Sequence, residues 1–90
     1  MKVEYLLIGH GMDGNIKVHD YPNDKLWVTE VEVEAVGNGS SRSSVKTFSV
    51  QRVRLDGATY AVAVARTVNP EEIEKLIYKS KVKPIPEALL

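Results

Sequence analysis

Hydrophobic and polar positions alternate along most of the chain, and a helical spacing replaces that alternation only near residue 70. Val3, Tyr5 and Leu7 alternate with Lys2, Glu4 and Leu6, which predicts a first strand. A glycine-rich break, Gly9 to Asn15, separates it from a second short run, Ile16 to His19, so the two read as a hairpin. Tyr21-Pro22-Asn23-Asp24 is a turn, because proline fixes its own φ and Asn/Asp side chains bond back to nearby amides.

Trp27 to Val36 carries the clearest period of two: Trp27, Thr29, Val31, Val33 and Ala35 share one face, and Glu30, Glu32 and Glu34 share the other with Val28 and Val36. A polar loop is expected over Gly37 to Ser44. Beyond it Phe48 and Val50 keep one parity while Val53 and Leu55 take the other, which suggests a β-bulge near Gln51-Arg52 and a pairing of Glu30 with Arg52. Asp56-Gly57 is a two-residue hairpin signal leading into a fifth strand, Thr59 to Arg66. That strand has Tyr60, Val62 and Val64 on one face and Ala61, Ala63 and Ala65 on the other, and its smooth alanine face is expected to receive a helix. Trp27, Phe48 and Tyr60 read as core.

The helix start is well specified. Asn69 is the N-cap, Pro70 occupies the first helical position, Glu71 and Glu72 suit the positive end of the dipole, and Glu72 has capping-box spacing from Asn69. Val68 and Ile73 are spaced for a hydrophobic staple, and Ile73, Leu76 and Ile77 form the apolar stripe. Val82-Lys83-Pro84-Ile85-Pro86 cannot continue the helix, so it ends near Ser80 or Lys81. The expected fold is therefore α+β, with one domain over residues 1–90: an antiparallel sheet of about five strands in largely sequential order, and one C-terminal helix packed on one face.

Composition narrows the functional classes. Ninety residues are too few for a doubly wound nucleotide fold or a (β/α)₈ barrel. A formal net charge of zero supplies no whole-molecule field for nucleic acid or anionic lipid, which argues against nucleic acid as a partner. The chain has no cysteine, which excludes disulfides and thiolate chemistry, and no run approaches the ~20 apolar residues of a membrane span. The short apolar run Tyr5 to Ile8 does not make a signal peptide, so a cytoplasmic location is expected.

Gly9 to Gly14, GHGMDG, matches the spacing of a dinucleotide fingerprint, but a strand rather than a helix follows it, so the match fails its structural test. The same loop could instead hold a small anionic or polar ligand through its amides, which makes Gly9, His10, Gly11, Asp13 and Gly14, with Arg42 from the serine-rich loop, one candidate ligand site. His10, Asp13, His19 and Asp20 match no usual metal-ligand spacing, and no metal or cofactor is expected. No nucleophile elbow or P-loop is present in the sequence, and enzymatic activity is not expected.

A binding module remains. The layout of strands ending in a capped helix and the tail SKVKPIPEALL resembles small accessory proteins of phages and prophages, a resemblance of arrangement that transfers no functional residue. It implies a host- or defence-directed binder, either an inhibitor of a protein or a scavenger of a small signalling ligand. An inhibitor would use an edge strand, the stripe Glu30/Glu32/Glu34 or the apolar tail residues Ile85, Leu89 and Leu90; a scavenger would use the glycine loop and a concave pocket. Self-association through an unprotected edge strand is a further expectation.

Overall fold

A computed structural model describes the backbone of residues 1–33 and 41–90, and the side chains of residues 1–29 and 45–90. The elements are β1 (Lys2–Ile8), β2 (Ile16–Asp20), β3 (Lys25–Val33), β4 (Ser41–Leu55), β5 (Ala58–Val64), α1 (Pro70–Ser80) and a 3₁₀ turn, Glu87–Leu89. The expected end of the third strand at Val36 lies outside the described residues. β4 begins at Ser41, so the predicted loop boundary at Ser44 is too late; Ser41 to Ser44 pair with Val33 to Glu30.

The five strands form one mixed sheet in the order β2-β1-β5-β4-β3. The α+β class stands, while the expectation of a purely antiparallel, sequentially ordered sheet is corrected by β1 and β5, which run parallel from Tyr5↔Ala61 to Ile8↔Val64. Every other pairing is antiparallel. A hairpin is written locally in turn residues, but the parallel pair joins strands more than fifty residues apart, and only burial of both faces of β1 selects it.

β2 and β3 lie at opposite edges, yet only residues 21–24 join them. In a flat sheet those ends would be roughly 27 Å apart, whereas five residue steps span about 18 Å at most. The sheet must therefore curl until its edges approach. The link is tied at both ends: the Tyr21 N–H donates to the Met1 carbonyl at 2.7 Å, and the Val50 N–H donates to the Asp24 carbonyl at 2.8 Å.

Each face of the curled sheet carries its own core. One core joins Val3, Tyr5 and Leu7 of β1 to Ala61 and Ala63 of β5, Leu26 of β3 and Phe48 of β4, with Met12 and Ile85. The other joins Leu6, Ile8 and Val62 to Ile73 and Ile77 of α1 and to Val82. The helix thus lies on the Tyr60/Val62/Val64 face of β5 and not on the alanine face. The alanines leave room for the bulkier Tyr5 and Phe48, both fully buried.

These layers also replace the expected bulge. β4 pairs residue by residue without interruption, Glu30 stands opposite Ser44, and Arg52 stands opposite Ala61. The apolar set changes face because the layer that covers it changes: Phe48 and Val50 meet the Tyr5/Leu26 core, whereas Val53 and Leu55 meet the helix-side core.

The helix starts as the sequence specifies, with the Glu72 N–H donating to Asn69 Oδ1 at 2.8 Å and Pro70 in the first turn. Val68 packs in the same cluster as Ile73, as a staple requires. Lys81 caps the other end in the left-handed region at φ 60°, its N–H donating to the Ile77 carbonyl. The tail then crosses the end of the sheet, since Val82 belongs to the helix-side core and Ile85 to the other. Its path is held where β1 leaves off: the Ile85 N–H donates to the Thr59 carbonyl at 2.7 Å.

Candidate functional site

The glycine loop is a compact turn whose polar groups largely answer one another. The Leu7 N–H donates to the Asn15 carbonyl, the Gly14 N–H to Leu7, the Met12 N–H to Gly9 and the Asn15 N–H to Met12, all between 2.8 and 3.0 Å. Gly9, His10, Gly11 and Gly14 all have positive φ, a sequence of left-handed conformations that explains the glycine content. Both Asp13 oxygens are engaged: Oδ1 accepts from the Gly9 N–H at 2.6 Å and Oδ2 accepts from Arg66 Nη2 at 2.7 Å.

Arg66 also donates to Glu72 Oε1 at 2.5 Å, so one guanidinium ties the loop to the first turn of α1. This bond holds the Glu72 carboxyl below its ordinary range, and the Asp13 carboxyl is lowered by Arg66 and then by the Gly9 amide. Glu72 therefore answers Arg66 instead of reaching back to the Asn69 amide as a complete capping box would. His10 stacks edge-on to Phe48, with ring centroids 5.2 Å apart, and its Nε2 donates to the Thr47 carbonyl at 3.3 Å. Gly9, His10, Gly11, Asp13 and Gly14 are thus brought together, but Asp13 serves Arg66 and the loop's own backbone. The Arg42 side chain lies outside the described residues.

The other expected surface divides. Glu30 and Glu32 stand in β3, opposite Ser44 and Arg42. Their side chains, and Glu34 altogether, lie outside the described residues. In the tail, Ile85 is 3 % exposed and Leu89 packs against the same core, so these two anchors are spent inside the protein. Only Leu90 remains open, at 55 % exposure.

Trp27 corrects the expectation most sharply. It is 55 % exposed on β3, an edge strand, while its neighbours Leu26 and Val28 face the core. Trp27 stands opposite Thr47, and Thr29 stands opposite Val45, all four exposed on one face of the β3–β4 ribbon. The cue lay in the sequence. Lys25, Trp27 and Thr29 alternate with Leu26 and Val28, and extending the period one residue toward the N-terminus assigns the inner face to Leu26.

Among the described residues no group of three or more His, Cys, Asp and Glu side chains is placed to hold a metal ion, and no helix is long and apolar enough to cross a membrane. Comparison with protein-family models, with curated proteins and with solved structures returns no match to this chain.

Proposed function

We propose that the protein is a small, non-enzymatic recognition module that binds another protein through the β3–β4 ribbon. The observation that carries this reading is the exposed Trp27 on an edge strand, flanked by Thr29, Val45 and Thr47. Tryptophan is a large apolar surface with one polar handle, and side chains of this kind dominate interface energetics when a partner covers them. An edge strand adds a row of backbone donors and acceptors that an incoming strand can satisfy.

Glu30, Glu32 and Glu34 alternate along the same stretch of sequence on the parity opposite to Trp27, so a partner that wraps this edge meets an apolar face on one side and suits it with basic groups on the other. The same charges disfavour pairing of β3 with its own copy, because like charges set opposite one another repel. The resemblance to phage accessory proteins directs the search to host or defence proteins. The ligand-scavenging alternative has less support, since both Asp13 oxygens are already bonded within the protein.

A photoreactive amino acid placed at position 27 should crosslink one partner in lysate, and the same group at exposed Lys75 on α1 should not. Trp27→Ala should leave the melting curve near that of the parent and weaken affinity for the purified partner at least tenfold. Equal affinity of the parent and the Trp27→Ala variant would defeat the reading.

A further inference from the structure

β4 is longer than either of its neighbours. β3 pairs with it from Ser41 to Ser49 and β5 pairs with it from Ser49 to Leu55, so among the described residues the lower half of β4 has a strand neighbour on one side only. Backbone direction on that half follows from two contacts. Leu55 and Ala58 flank the two-residue Asp56-Gly57 turn and face each other as the bonded pair of a tight hairpin. The Val50 N–H turns the other way and donates to the Asp24 carbonyl. Alternate residues share a direction, so Arg52 and Arg54 present their N–H and C=O groups to the open side.

The side chains of the same two residues line two cavities, one beside that edge and one reaching across β5 toward the tail. One, of about 300 Å³, is bounded by Tyr21, Asn23, Asp24 and Arg52. The other, of about 290 Å³, is bounded by Arg54, Thr59, Pro84, Pro86 and Glu87. Both guanidinium groups are exposed, and among the described residues neither forms an ion pair, with Asp24 and Glu87 included.

We infer that the lower edge of β4 is a docking notch for an extended acidic peptide, which adds as a strand beside Gln51 to Leu55 and places carboxylates at alternating positions against Arg52 and Arg54. Two requirements meet here. Strand addition needs outward backbone groups in a row, and Arg52 and Arg54 supply them. Selectivity needs side chains at the strand repeat of roughly 6.5–7 Å, and arginines two residues apart on one face match carboxylates two residues apart on the incoming strand. Asp24 and Glu87 at the rims act against the ligand, so they set selectivity by charge and lower the affinity for it. The notch is separate from the Trp27 face and does not depend on the ribbon reading.

The probe is a blocked seven-residue peptide with glutamate at alternating positions and threonine or valine between them, carrying a fluorophore at one end. Its anisotropy is titrated with the intact protein, and amide hydrogen exchange is read with and without saturating peptide. Saturable binding is expected, with new protection at the Arg52 and Arg54 amides and none along β2. Arg52→Gln with Arg54→Gln should weaken binding at least tenfold, Asp24→Asn with Glu87→Gln should strengthen it severalfold, and Trp27→Ala should leave it unchanged.

Two peptide-side controls keep the test independent of any variant's folding: glutamine in place of glutamate, and N-methylation of the amides on the pairing edge, should each abolish binding. No saturable binding up to about 1 mM would overturn the proposal. So would binding that survives both peptide controls, or protection that falls on the outer edge of β3 instead of β4.

Discussion

Tyr78, in the last turn of α1, donates its hydroxyl to Asp56 Oδ2 in the turn between β4 and β5. The helix is thereby tied to the hairpin on whose outer face it packs, at a turn where Asp56 and Gly57 both adopt positive φ. Asp56 favours the neutral phenol, and the Tyr78 hydroxyl is pushed up to about 12. The contact therefore contributes fully below the ordinary value of 10.0 and is lost as pH rises through about 12. Ultraviolet titration of the parent should show a late-titrating tyrosine that Asp56→Asn returns toward the ordinary value, since asparagine keeps the turn and removes the charge. An unchanged titration in the variant would show that Asp56 is not the cause.

The Arg66 bridge has the opposite pH signature. Asp13 and Glu72 have ordinary values of 3.8 and 4.5 and are both lowered in the folded protein, so the bridge stabilises above that range and fades as pH falls through the lowered values. Arg66→Met should therefore be less stable than the parent at pH 7, and the two urea midpoints should converge in acid below pH 3.8. A gap that persists unchanged in acid would assign the loss to packing of the arginine stem instead of its charge.

Two glycines in one loop should respond differently to alanine. Gly9 has φ 113°, and a Cβ there would lie 2.8 Å from the Ala65 Cβ, where β1 and β5 meet. Gly11 has φ 74° with open space where a Cβ would lie. Backbone strain alone costs Gly11→Ala about 1–2 kcal/mol, while strain and overpacking together cost Gly9→Ala roughly 2–5 kcal/mol. Chemical denaturation of both variants measures the difference, and equal losses would show that the Ala65 contact relaxes freely.

The Asn69 cap is expected to be worth about 0.5–2 kcal/mol, the usual loss when such a residue becomes alanine. Asn69→Ala should lower the urea midpoint with an unchanged slope. Asn69→Asp, which keeps an accepting oxygen, should recover most of the loss. Failure of aspartate to recover more than alanine would mean that the Glu72 amide finds another acceptor.

Trp27 is the single tryptophan, so intrinsic fluorescence reports on one position. Its 55 % exposure predicts an emission maximum close to that of the unfolded chain and ready quenching by iodide. A blue-shifted, protected emission in dilute solution would place Trp27 in a buried environment and remove the basis of the ribbon reading.

Local interactions were legible in the sequence, because groups a few residues apart meet whatever the rest of the chain does. Asn69, Pro70 and Glu72 mark the helix start, Asp56-Gly57 marks the hairpin, and the period of two marks the strands. What neighbours cannot encode is which surface each face will meet. The face of β5 that receives α1, the parallel partner of β1 and the change of covered face along β4 all depend on contacts between distant segments. Arg66 shows the same limit at the candidate ligand loop, since it engages Asp13 fifty-three residues away. The tail shows it too: Ile85 reads as an apolar anchor in sequence, and only the gap left where β1 stops pairing with β5 draws it inside. Periodicity states that a residue is apolar on a given face; the closing of the curled sheet decides whether protein or solvent lies there.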